Sequence, residues 1–183
     1  INPDQYYSYV DRFADFFETV ESYRDDYDFE FILEEIKKYP TIRHFSQELL
    51  ERSKNEKASS PLLNLIQPNY DMSSTEKSDL YDIAWGKAWL NELETGLNHF
   101  LRIPNKKYSD DIEKFNFILS KLSHSREFWA FLSEILIINR IKPENINEKD
   151  TSDNGEADID FLINIDSKKI FIEITMPHYL ERF

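Results

Sequence analysis

Ala157-Asp158-Ile159-Asp160-Phe161-Leu162-Ile163-Asn164-Ile165 and Lys169-Ile170-Phe171-Ile172-Glu173-Ile174-Thr175 are two runs with period-2 character, the pattern of half-buried β-strands. Asp166-Ser167-Lys168 between them is turn chemistry, so the two runs are expected to form a hairpin. Ile159, Phe161, Ile163 and Ile165 fall on one face of the first strand, and Ile170, Ile172 and Ile174 on one face of the second. Burying these faces together gathers Asp158, Asp160, Glu173 and Thr175 on the opposite face. With Ser167-Lys168 as the turn, Asp160 is expected opposite Thr175 and diagonal to Glu173, roughly 7–8 Å away.

Carboxylates this close repel one another. A hard divalent cation such as Mg²⁺ or Mn²⁺, which takes oxygen ligands and keeps several waters, relieves the conflict. The plain alternative is the solvent face of a hairpin that happens to carry acids.

Upstream, Asn145 to Glu156 is polar and turn-rich, and Ser125 to about Ile141 reads as a helix. Within it, Phe128-Trp129-Ala130-Phe131-Leu132-Ser133-Glu134-Ile135-Leu136-Ile137-Ile138 is apolar almost all round. Glu134 has Ala130, Phe131, Ile137 and Ile138 as its i±3 and i±4 neighbours, and a carboxylate so walled loses hydration unless something pairs with it. It is either a third ligand or the continuation of a thin exposed stripe begun by Glu127.

Taken in order, the helix with its embedded Glu, the polar connection, the strand with Asp before an apolar run, the hairpin and the Ile-Glu-Ile-Thr ending resemble the PD-(D/E)XK nuclease superfamily. The resemblance covers about residues 125–178, roughly a third of the chain. It implies a mixed sheet flanked by helices, a restriction-endonuclease-like core that cuts phosphodiester bonds with Mg²⁺. On that match Glu134, Asp160 and Glu173 are the metal-holding acids. Thr175 stands where the family has lysine, and Ile159 where it has the proline of a Pro-Asp pair. Threonine can hydrogen-bond a water but brings no positive charge. Lys169 and Lys142 are the residues that could stand in for that lysine, and Asp158 is a candidate outer-shell ligand. The family core continues with a further helix and strand, so the match implies a core cut short at Phe183.

The preceding residues read as helical. Helices are expected near Tyr6–Val20, over 29–38, from Thr41 to Leu50, from Ser73 to about Phe100, and from Asp110 to Leu122. The stretch from Arg52 to Pro61 reads as a loop, and Leu62 to Ile66 as a short apolar piece. The expected fold class is therefore α+β, a helical domain over 1–120 followed by a nuclease-like core over 121–183.

Bulk properties set further bounds. The 183 residues are 40% hydrophobic and 15% aromatic, which excludes a disordered chain. A formal charge of -13 opposes broad, nonspecific binding of a polyanion, so any nucleic acid would need local steering. The absence of cysteine excludes disulfide scaffolds, zinc fingers and thiol nucleophiles, and makes an intracellular, cytoplasmic protein the expectation. His44, His99, His124 and His178 lack metal-site spacing, and Gly86, Gly96 and Gly155 are too scattered for a phosphate loop. No run is long enough to span a membrane. The expected partner is nucleic acid, DNA before RNA. The second expectation is a catalytically inactive nuclease-fold protein that acts as a protein-interaction module through its acidic helical domain; a protein partner or a homo-oligomer is the further partner expectation.

Overall fold

The computed structural model describes Phe16, Val20 and residues 26–56, 60–68, 77–103, 110–123, 125–141, 146–152, 158–165 and 168–174. The described elements are α1 (Phe29–Glu35), a 3-10 turn (Ile36–Lys38), α2 (Pro40–Glu56), α3 (Pro61–Ile66), α4 (Lys77–Arg102), α5 (Asp111–Ser123), α6 (Ser125–Ile141), β1 (Ile146–Ser152), β2 (Asp158–Ile165) and β3 (Lys168–Ile172). The fold is α+β: the described elements up to Ile141 are helices, and those after it form an antiparallel sheet in the order β1-β2-β3. Two compact units divide it. One comprises Ile1–Asn91 with Leu122–Ser125, the other Glu92–Lys121 with Arg126–Phe183.

In the first unit α1 begins at Asp28, whose carboxylate accepts the Phe31 N–H and so supplies one of the acceptors a helix start lacks. Pro40 opens α2 and Pro61 opens α3, positions where the missing N–H has no helical partner to lose. The apolar run Leu62 to Ile66 is the helix α3 and all of it is buried. Asn64, in the middle of that run, is buried with both ends of its amide hydrogen-bonded: Tyr27 Oη donates to its Oδ1 at 2.6 Å and its Nδ2 donates to the Val20 carbonyl at 2.7 Å. The polar stretch after Arg52 continues α2 to Glu56 rather than forming a loop from the outset. Polar residues with good helix propensity, such as Lys54 and Glu56, extend a helix already nucleated by its buried face.

In the second unit the core is aromatic. Phe100, Phe117 and Phe131 meet with centroid separations of 5.5 to 6.2 Å, a mix of stacked and edge-on contacts that such rings favour. Gly96 on α4 permits close approach to α6: a Cβ there would collide with Ile135 Cγ2 and lie 3.1 Å from the Ile135 carbonyl oxygen. Nearby, Asn139 Nδ2 donates to the Glu92 carbonyl at 2.9 Å and to its carboxylate at 2.8 Å. At the other end of this part of α4, Lys114 Nζ donates to the carbonyls of Leu101 and Ile103, both at 3.0 Å, satisfying acceptors that the helix end leaves open.

The hairpin forms with the expected sides but a shifted register. Ile165 pairs with Lys168, Ile163 with Ile170 and Phe161 with Ile172. The connection is therefore Asp166-Ser167, not Ser167-Lys168. Each β2 residue meets a β3 partner two positions earlier than expected, which leaves the faces unchanged because side chains alternate with period two. Phe161 and Ile163 are buried, whereas Ile170 on the same face remains 39% exposed.

Ile146–Ser152 corrects the reading of a turn-rich connection. Its Asn, Glu, Lys and Asp residues have little intrinsic strand preference. Backbone pairing to β2 and burial of Ile146 opposite Ile163 override it.

Candidate functional site

The sheet brings two of the expected acids together. The β2–β3 ladder reaches Phe161↔Ile172, and one further step in that register sets Asp160 across from Glu173. Residues that continue such a ladder share a face and come roughly 4.5–5.5 Å apart at Cβ; the pairing itself ends at Phe161 and Ile172. Asp160 is half-buried and Glu173 exposed. Asp160 Oδ2 accepts the backbone N–H of Ile174 at 2.5 Å. That bond fixes the carboxylate over the end of β3.

Glu134 is on α6, at the border of its buried stripe. Phe131, Ile135 and Ile138 are buried, while Ala130, Glu134 and Ile137 are partly so. Oε2 of Glu134 is shut off from solvent. The helix is as enclosed as its sequence implied, since only Glu127 and Arg140 of its described side chains are exposed. Among the described residues, however, no three of His, Asp and Glu are gathered into a group that could hold a metal ion. The geometry thus supports a pair, Asp160 with Glu173, and does not add Glu134 to it.

Thr175, Lys142, His124 and His178 lie outside the described residues, as does the side chain of Asp158. Lys169 shares the face of Glu173, but four residues of strand separate them by roughly 13 Å at about 3.3 Å per residue. That is beyond the span of a lysine side chain, so within one copy Lys169 does not offset the Glu173 charge.

The feature that sequence reasoning missed is the Asp160 to Ile174 bond. Its signal is an acid at the start of β2 facing a chain that is leaving the ladder, but finding it required the correct register. A separate concavity of about 460 Å³ in the first unit, lined by Glu30, Leu33, Glu34, Ile36, Lys37 and Arg43, carries both charge signs and none of the expected site residues. No helix among the described residues is long and apolar enough to cross a membrane. Comparisons with protein-family models, curated proteins and solved structures give no match to this chain.

Proposed function

We propose that this chain is a metal-dependent nuclease-like protein that hydrolyses phosphodiester bonds of nucleic acid, with β1–β3 as part of a restriction-endonuclease-like mixed sheet. The observation that carries the reading is the ladder ending at Phe161↔Ile172, which makes Asp160 and Glu173 the next residues of the two chains. Two opposed carboxylates form a dianionic, all-oxygen donor set, which suits Mg²⁺ or Mn²⁺. Asp160 is suited to ligation because its Oδ2 is anchored by the Ile174 N–H, while Oδ1 takes no hydrogen bond among the described residues. Asp160 and Glu173 would hold the ion.

When bound, such an ion polarises a phosphoryl oxygen and lowers the pKa of water. The chain's own part is orientation. Asp160 and Glu173 fix a negative locus on the sheet face, and the Thr175 hydroxyl, one step beyond Ile174, would hydrogen-bond the attacking water. The acidic surface opposes long-range capture of nucleic acid, so substrate is expected to bind more weakly as salt is lowered than a basic nuclease would bind it.

Incubating the protein with single- and double-stranded DNA and RNA in Mg²⁺ or Mn²⁺ tests the reading. Cleavage that Glu173→Gln abolishes supports it; no cleavage of any of the four substrates contradicts it. The second reading, a catalytically inactive nuclease-fold protein acting as an interaction module, is favoured by the Asp160 bond to Ile174, which uses a would-be ligand oxygen to close the strand end. It requires that no substrate be cut.

A further inference from the structure

The two edges of the sheet are unlike. β1 carries Asn147, Glu148, Lys149 and Asp150 and has an irregularity in its pairing between Ile146 and Glu148, both devices that discourage further strand addition. β3 is regular, contains no proline, and presents Ile170 and Phe171 at 39% and 44% exposure. Among the described residues it is paired on one side only, by β2. The N–H of Ile174 is turned toward Asp160 on β2. Because successive backbone groups alternate in direction along a strand, those of Lys169, Phe171 and Glu173 are directed to the free edge.

We propose that this edge pairs with the β3 edge of a second copy of the chain, antiparallel, about a two-fold axis at Phe171. The partner's identity follows from charge complementarity. A two-fold perpendicular to the sheet joins identical edges antiparallel, and paired residues must share a face, so the axis passes through a residue. Centred on Lys169, it opposes like charges. Centred on Ile170, it sets Lys169 against Phe171; centred on Ile172, it sets Phe171 against Glu173. Centred on Phe171, it matches positions 169 to 173: Phe171 meets Phe171, Ile170 meets Ile172, and Lys169 meets Glu173 twice. Sequence 169–173 is its own complement in that register alone.

The pairing also answers the electrostatic problem on the sheet face. Asp160 and Glu173 repel each other, and Lys169 of the same copy is too far along the strand to help. In the dimer, Lys169 of the second copy stands directly across from Glu173, so each copy supplies the other's counter-charge. This inference rests on the strand edge and not on metal binding or cleavage.

Sedimentation equilibrium of the whole chain tests it. Wild type is expected to be dimeric, and Lys169→Glu or Glu173→Lys alone to weaken association at least tenfold by opposing like charges. The double exchange, Lys169→Glu with Glu173→Lys, is expected to restore it. Since the chain has no cysteine, Phe171→Cys gives a second measurement that changes no charge. Residues facing each other across the axis are about 5.5 Å apart at Cα, within disulfide range. Oxidised Phe171→Cys protein is expected to run as a covalent dimer, whereas Leu33→Cys, at an exposed apolar position of α1, does not. A monomeric wild type overturns the proposal, whether its edge is free or covered by residues 175–183. So does failure of the double exchange to restore association, or cross-linking of Phe171→Cys no faster than that of Leu33→Cys.

Discussion

Asp160 on β2 binds the backbone N–H of Ile174, two residues past the end of β3, at 2.5 Å. The bond does for the hairpin what a capping residue does for a helix: it satisfies a donor that the ladder leaves behind. Two roles therefore meet in one side chain, closing the strand pair and presenting charge beside Glu173, and they can be separated.

Asp160→Ala removes both roles, whereas Asp160→Asn keeps a carbonyl oxygen for the Ile174 N–H and removes the charge. In urea unfolding, Asp160→Ala is expected to lose about 1.5–3 kcal/mol, the range for a hydrogen bond to a charged group, and Asp160→Asn clearly less. Equal losses would mean that the bond contributes nothing to stability.

The Tyr27–Asn64–Val20 chain of hydrogen bonds makes a similar prediction inside the first unit. Asn64→Ala removes the acceptor of the Tyr27 hydroxyl and the donor to the Val20 carbonyl, so a loss of about 2–6 kcal/mol is expected from two buried groups at roughly 1–3 each. Tyr27→Phe, which removes one donor only, should lose less. Thermal unfolding of the two variants checks the order.

Gly96→Ala opposes propensity and packing. In an exposed helix the change would gain about 1 kcal/mol. On α4 the added methyl meets Ile135 Cγ2, with the Ile135 carbonyl oxygen 3.1 Å away. Overpacking typically costs about 1–3 kcal/mol, so the variant is expected to unfold at lower denaturant than wild type. A rise in the unfolding midpoint would show that α6 yields.

These contacts also show where sequence reading succeeds. The span of α6, the faces of β2 and β3, and the enclosed setting of Glu134 were legible because each depends on local periodicity. The register was not, because Asp166-Ser167 and Ser167-Lys168 offer equivalent turn chemistry while preserving the same faces. β1 was hidden for a different reason: Asn147, Glu148, Lys149 and Asp150 become a strand only through pairing to β2. The Asp160–Glu173 relation inherited the register shift, which turned a diagonal neighbour into a direct one. Gathering Glu134 depends on packing of α6, which no periodicity encodes.

The central claim is that Asp160 and Glu173 form a cation site, and titration calorimetry with Mn²⁺ tests it most directly. Glu173 is the residue to change, because it is exposed and Glu173→Gln should leave the fold intact. Wild type is expected to bind Mn²⁺, and Glu173→Gln to bind at least tenfold more weakly with an unchanged far-UV circular dichroism spectrum. Equal affinity in the two proteins, or no binding to wild type, would contradict the claim.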